Sequence, residues 1–565
     1  MDPDKLAAYG WRPTLSVEAL LLLTSVAFAA FYNGALWALM FGTADLTKPR
    51  TAALFIGLFI AVVGIQFAGL ALLLTRRTAR PVLAVLFLCT ALASFFEDRY
   101  TIFLNTEMLR NILKTDPAEA GELLTLQLVP HLLLYAALPA ALVLWTRVRV
   151  RPLGRAMLFR SGAVAAALAV AVTMVAVQYR DVASLVRSHR DARHLITPAN
   201  YLASLFKISR DAISTPSGPR QPIALDAYRV ITVSPARKPT LLVLAIGETV
   251  RPANFGLSGY TRQTTPELSQ LDLLVYPRVQ ACGTSTEVSV PCMFAPVGRR
   301  DYDEKRIRGE QSLLHVLQRV GINVLWIDNQ SGCKGVCEGL PQERLAGDFD
   351  PVLCDGEHCL DGVMLPRLAA AVAATRGDLV VVLHLLGNHG PAYSRRYPAE
   401  FRKFEPTCDS AELTDCSQAE IVNAYDNAVL YTDHVLALVV RYLEAQTDRN
   451  AGLIYVSDHG ESLGEAGMYL HGLPYKIAPA TQKEVPMVAW LSRNLEQATR
   501  IDHACLRKGT GDDVAHDHLF HSVLGLLGVQ TTLREPDLDL FSRCRGSATT
   551  AMLARAFERG IPGRG

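Results

Sequence analysis

Apolar residues fall along this chain in two regimes. Over the first third they form long runs, at 14–40, 51–75, 81–96, 123–146 and 157–179. All but the third are long enough to cross about 30 Å of hydrocarbon as a helix, and together they predict five membrane spans. From about residue 237 the runs shorten. Those at 240–246, 378–383 and 453–456 are rich in β-branched residues and predict buried parallel strands. They alternate with helix-like stretches such as 424–445, the pattern of a helix-flanked α/β sheet. Between the regimes, amphipathic pieces such as 201–207 predict a bridging helix at the membrane surface, and the Pro- and Gly-rich 215–222 predicts a linker. The expected organisation is a membrane domain over 1–180, a bridge over 181–236 and a soluble domain over 237–565, with a loose tail from 546.

Charge orients this arrangement. Arg76, Arg77 and Arg80 follow the second run, and Arg147, Arg149, Arg151 and Arg155 follow the fourth. The segment between the third and fourth runs carries Glu97, Asp98, Glu107, Asp116, Glu119 and Glu122. The two Arg turns are therefore expected in the cytoplasm, and an odd number of spans puts the soluble domain outside it. The first run is long, Trp-bearing and followed by similar runs, so it reads as a retained anchor. A net charge of +2 over 565 residues gives no nucleic-acid footprint.

Cysteine usage agrees. Of eleven cysteines, Cys89 lies in a span and the other ten lie in the soluble part. By proximity in sequence they group as Cys282/Cys292, Cys333/Cys337, Cys354/Cys359 and Cys408/Cys416, leaving Cys505 and Cys544. No pair has the two-residue spacing usual for a cysteine zinc module, so disulfides in an oxidising compartment are expected.

Each predicted strand is followed closely by potential ligands: Gly247-Glu248-Thr249, Asn388-His389-Gly390 and Asp458-His459-Gly460. Sites in open α/β sheets form beyond the carboxyl ends of the strands, so these groups are expected to converge. Glu248, Asp458 and His459 offer two carboxylates and an imidazole, a first shell that suits zinc and leaves a position open. The loop Cys282-Gly-Thr-Ser-Thr-Glu-Val-Ser-Val-Pro-Cys292 is rich in hydroxyls, and a disulfide between its ends would pin it. A threonine hydroxyl is a poor nucleophile at neutral pH, and metal coordination is one way to activate it.

These motifs, with Tyr469-Leu-His-Gly472 and Asp458-His-Gly-Glu-Ser-Leu-Gly-Glu465, resemble the lipid A phosphoethanolamine transferases, which include the mobile colistin-resistance enzymes. The resemblance covers the whole chain. It implies a multi-span α-helical membrane domain joined to an α/β domain of alkaline phosphatase/sulfatase-like fold. It implies Thr286 as nucleophile and Glu248, Asp458, His459 and the Thr286 oxygen as zinc ligands. His389 and His471 match residues that bind the phosphoryl group or a second zinc. His384 and Lys334 fall at further substrate-site positions, Lys334 reading either as a phosphate-facing cation or as a solvated loop lysine.

In the external segment, Asn111, Thr115 and Glu119 match lipid-side substrate contacts. Pro117 argues against one continuous helix there, and Asp116-Pro117-Ala-Glu119 is itself a good helix start, so Glu119 reads either as a substrate anion or as a capping residue. The implied reaction is a double displacement. Phosphoethanolamine passes from phosphatidylethanolamine to Thr286 and then to a lipid A or lipopolysaccharide-core acceptor, at the bacterial inner membrane with the catalytic domain in the periplasm. A Cys505/Cys544 pair looks more like the disulfide-rich chromosomal members. The chain is expected to act as a monomer. The alternatives are a related phosphoglycerol transferase or metal-dependent phosphodiesterase, or a catalytically silent envelope sensor. A sulfatase reading lacks its Cys/Ser-x-Pro-x-Arg signature.

Overall fold

The computed structural model describes residues 12–546 except 43, 101, 116, 189, 215–218, 231–236, 346–349, 357 and 512. The expected tail beyond 546, the first half of the expected 215–222 linker and the proposed cap Asp116 lie outside the described residues. The chain forms two compact units, Met1–Leu109 with Leu124–Arg210, and Arg110–Leu123 with Asp211–Gly565.

The first unit is helical. Its elements are α1 (Val17–Phe31), α2 (Gly34–Phe41), α3 (Pro49–Leu73), α4 (Ala79–Tyr100), the start of α5 (Thr106–Lys114), α7 (Leu128–Trp145), α8 (Leu153–Val177), α9 (Tyr179–Ser188) and most of α10 (Ala199–Ser214). The short α6 (Pro117–Glu122) lies between α5 and α7 and belongs to the second unit. Among the described residues α3, α4, α7 and α8 are long and apolar enough to cross a membrane, and α1 with α2, bent by 54°, makes a fifth if counted as one broken span. Pro49 opens α3 at a position where a missing N–H costs no helix bond. Small residues let α3 and α8 approach: a Cβ on Gly64 would stand 2.9 Å from the Ala167 carbonyl oxygen. Leu72, Leu73, Leu158 and Val177 stay exposed, as suits side chains facing hydrocarbon.

The second unit is built on an eight-stranded sheet. In chain order its strands are β1 (Thr240–Gly247), β2 (Leu274–Gln280), β3 (Asn323–Asp328), β4 (Gln342–Arg344), β5 (Leu379–His384), β6 (Asn450–Ser457), β7 (Glu484–Leu491) and β8 (Val514–Ala515). Their order across the sheet is β8-β2-β7-β6-β1-β5-β3-β4. Only β7 runs against the rest. Every residue of β1, β5 and β6 is buried, which is why these strands read as continuous apolar runs. The long helix α12 (Gln418–Glu444) starts at a Ser417/Glu420 capping box. Five disulfides join Cys282–Cys292, Cys333–Cys337, Cys354–Cys359, Cys408–Cys416 and Cys505–Cys544, the pairing expected from sequence, and Cys89 is free.

Candidate active site

Register brings the candidate residues together. Gly247 of β1 stands opposite Ser457 of β6, and Ile246 opposite His384 of β5, which in turn faces Asp328 of β3. The residues after these four neighbouring strand ends therefore share one edge of the sheet. Glu248, Asp458 and His459 are fully buried, and each offers a ligand atom within 4.8 Å of the others. His459 Nε2 lies 3.3 Å from Glu248 Oε1 and 3.4 Å from Asp458 Oδ2.

Thr286 completes the cluster from another direction. Ser285 precedes the helix α11 (Thr286–Met293), so the Thr286 hydroxyl sits at a helix N-terminus, where the dipole favours negative charge. Thr286 Oγ1 lies 3.2 and 3.1 Å from the two Glu248 carboxylate oxygens and 3.4 Å from His459 Nε2. The disulfide holds this loop at its ends, and the 471–473 loop holds it at its middle: Thr284 Oγ1 donates to the Leu473 carbonyl at 2.7 Å, and Gly472 N–H donates to the Thr284 carbonyl at 2.7 Å.

The electrostatics are those of a cation site. Burial alone would raise the Glu248 carboxyl, but the His459 hydrogen bond and charge outweigh it and hold Glu248 well below the usual carboxylate range. Burial and then the Glu248 charge push Asp458 up to about 6. Burial by itself would lower His459, and Asp458 and Glu248 override it and push it up to about 10. Asp458 Oδ2 is buried without a hydrogen-bond donor. Two carboxylates, one imidazole and a hydroxyl gathered in this cluster form a donor set that fits a divalent metal ion.

The other expected residues surround this cluster at different removes. The His471 ring lies 4.3 Å from the His459 ring and 5.8 Å from that of His389. His384 is fully buried, its Nδ1 2.7 Å from Asp328 Oδ1 and its Nε2 without a hydrogen bond. Lys334 Nζ donates to the Ser331 carbonyl at 3.2 Å; burial alone would raise the Glu287 carboxyl, but Arg308, then Lys114 and last Lys334 bring it below the usual carboxylate range. Thr115 Oγ1 donates to the Asn111 carbonyl at 2.9 Å, so these two residues bond to each other. A break after Lys114 separates α5 from α6, as Pro117 requires, and the Glu119 side chain lies outside the described residues.

Four contacts were not read from the sequence. Gln330 Nε2 donates to Glu248 Oε2 at 3.3 Å, and Glu461, fully buried, faces His471 Nδ1 at 3.3 Å. Asp328 orients His384. His516, also buried, accepts from Cys282 N–H at Nδ1 (3.1 Å) and lies 2.9 Å from the Ser457 carbonyl at Nε2, bracing the threonine loop against β6. Asp328 ends its strand as the other candidates follow theirs; His516 carries no local signal.

A mixed sheet with acids and histidines at adjacent strand ends, and a hydroxyl at a helix N-terminus among them, defines an enzyme of alkaline phosphatase/sulfatase-like fold with a candidate metal site, and residues 240–529 match the sulfatase family model. Residues 62–213 match the model described as phosphoethanolamine transferase EptA/EptB. The chain is 38% identical over 538 residues to phosphoethanolamine transferase EptA of Salmonella typhimurium, covering 94% of this chain and 98% of that one. It is 36% identical over 495 residues to phosphatidylethanolamine transferase Mcr-1 of Escherichia coli, covering 85% and 90%. Its fold matches the integral membrane lipooligosaccharide phosphoethanolamine transferase A of Neisseria meningitidis with a TM-score of 0.91 at 33% identity, covering 94% and 99%. The chain belongs to the phosphoethanolamine transferase family.

Proposed function

We propose that this protein transfers phosphoethanolamine from phosphatidylethanolamine to a lipid A or lipopolysaccharide-core acceptor through a phosphoethanolamine-threonine intermediate on Thr286. The observation that carries the reading is the Thr286 hydroxyl, 3.1–3.4 Å from Glu248 and His459 at the start of α11. Glu248, Asp458, His459 and Thr286 would hold zinc, which when bound lowers the pKa of the hydroxyl and neutralises charge on the phosphoryl oxygens. Thr286 Oγ attacks phosphorus as the bond to the diacylglycerol oxygen breaks. The acceptor oxygen then attacks the same phosphorus and frees Thr286. His389 and His471 are suited to hold the phosphoryl oxygens or a second metal, and His384 and Lys334 to line the substrate site. Asn111, Thr115 and Glu119 are proposed to meet the lipid head group. On this reading residues 1–180 span the inner membrane, 181–236 bridge, and 237–565 catalyse in the periplasm.

Thr286→Ala tests the assignment. It should abolish phosphoethanolamine addition to lipid A, read by mass spectrometry, while zinc stays bound through Glu248, Asp458 and His459 with water in the hydroxyl position. Normal lipid modification by this variant would sink the nucleophile assignment.

A further inference from the structure

The segment Arg110–Leu123 lies in sequence between the membrane helices α4 and α7, yet it packs with the catalytic unit. Beside an ion pair between Arg110 and Glu304, two contacts lead from it toward the candidate site, one from each end. Lys114, the last residue of α5, places Nζ 2.7 Å from Glu287 Oε1, and Arg308 Nη1 reaches the same oxygen at 2.7 Å. The Glu287 side chain is wholly buried and follows Thr286 directly in α11. At the other end Glu122 pairs with Arg396, both buried, and its second oxygen lies 3.2 Å from His358 Nε2. Arg396 Nε in turn donates to the His389 carbonyl at 2.7 Å. One grip thus ends on the neighbour of Thr286 and the other on the backbone of His389.

Buried ion pairs add little net stability over apolar packing, but each has one good geometry and so can fix register. We propose that Lys114, Glu122 and Arg396 are positioning residues: the Glu122–Arg396 pair, buried on both sides, and the Lys114–Glu287 pair, buried at Glu287 and half-exposed at Lys114, hold residues 110–123, a segment tied at both ends to membrane spans, in register with Thr286 and His389. A head group still anchored in the bilayer is then presented to the nucleophile in one place. None of the three touches the reacting atoms. The inference rests on the lipid-to-lipid transfer reading above.

The test uses the full-length protein in vesicles containing phosphatidylethanolamine and lipid A, beside hydrolysis of soluble bis(p-nitrophenyl) phosphate. Lys114→Met and Glu122→Gln should each lower lipid transfer about 100-fold, the scale of a small misplacement of reacting groups. Turnover of the soluble diester should stay within about twofold of the parent, a bound set by the absence of a bilayer-held group to misplace. Lys114→Arg should keep both activities. Hydrogen exchange adds a readout independent of substrate: Lys114→Met should raise exchange over 284–290, and Glu122→Gln over 386–390. Parent-like lipid transfer, equal loss in both assays, or parent-like exchange in both variants would overturn the positioning role. A parent that cleaves the soluble diester yet moves nothing between lipids would overturn the transfer reading instead, with exchange still deciding whether the two pairs hold the loops.

Discussion

Thr249, next to Glu248, has φ 58°, a left-handed conformation that a β-branched residue rarely adopts. It is held there from both sides: its N–H donates to Asp458 Oδ1 at 3.3 Å, and the Tyr425 hydroxyl donates to its carbonyl at 2.7 Å. Strain fixed by surrounding bonds is a means of aiming a neighbouring side chain, here the Glu248 carboxylate. Close packing constrains the opposite wall. A Cβ on Gly460 would stand 2.0 Å from the Thr481 carbonyl oxygen, a backbone atom that cannot give way. Gly460→Ala should therefore displace His459 and bring metal content well below one equivalent by elemental analysis. Gly309→Ala, where a Cβ meets nothing within 4 Å, should bind metal like the parent. Full metal occupancy in both variants would contradict this. The ligand motifs were legible because each follows its strand directly. Gln330 and His516 were not, because each reaches the site from a segment whose position depends on the finished sheet, whereas Glu461 lay inside the Asp458-His-Gly-Glu461 motif without being singled out.

At the scale of elements, β1, β5 and β6 were legible because sheets covered on both faces leave uninterrupted apolar runs. Their order was not, since nothing in β7 announces that it runs against its neighbours. The break between α5 and α6 was legible from Pro117. What α5 and α6 bind was hidden, because the partners of Lys114 and Glu122 lie 173 and 274 residues further on. The Glu122 contact has a pH signature. Burial alone would raise its carboxyl, but His358 and Arg396 outweigh it and bring it down to about 2. An unfolded glutamate titrates near about 4.3, so the folded pKa is the lower one. The stabilisation is full above the unfolded value and is lost as pH falls toward the folded one. The difference in guanidinium midpoint between parent and Glu122→Gln should be large at pH 6 and shrink steadily toward pH 2. A gap that does not change over that range would rule out the ion pair as its source.

For the whole molecule, the pairing of ten cysteines and the Arg-rich turns make one topological prediction. Thiol labelling of the unreduced, unfolded protein should find one free thiol, Cys89. In intact cells, a tag placed in the second unit should react only from the periplasmic side. Several free thiols, or labelling from the cytoplasm, would reverse the orientation. Sequence separation also sets a timetable for biogenesis. The five disulfides close loops of 4 to 39 residues, so their partners emerge within seconds of each other. Glu122 and Arg396 are 274 residues apart, and at about 5–20 residues per second the ribosome needs roughly 14 to 55 seconds to make that length. Throughout that interval the segment between α4 and α7 has been synthesised and its binding surface is incomplete. The contact that joins the earliest-made part of the catalytic unit to the rest therefore waits for Arg396, and chains stalled before residue 396 should leave 110–123 open to protease while full-length chains protect it.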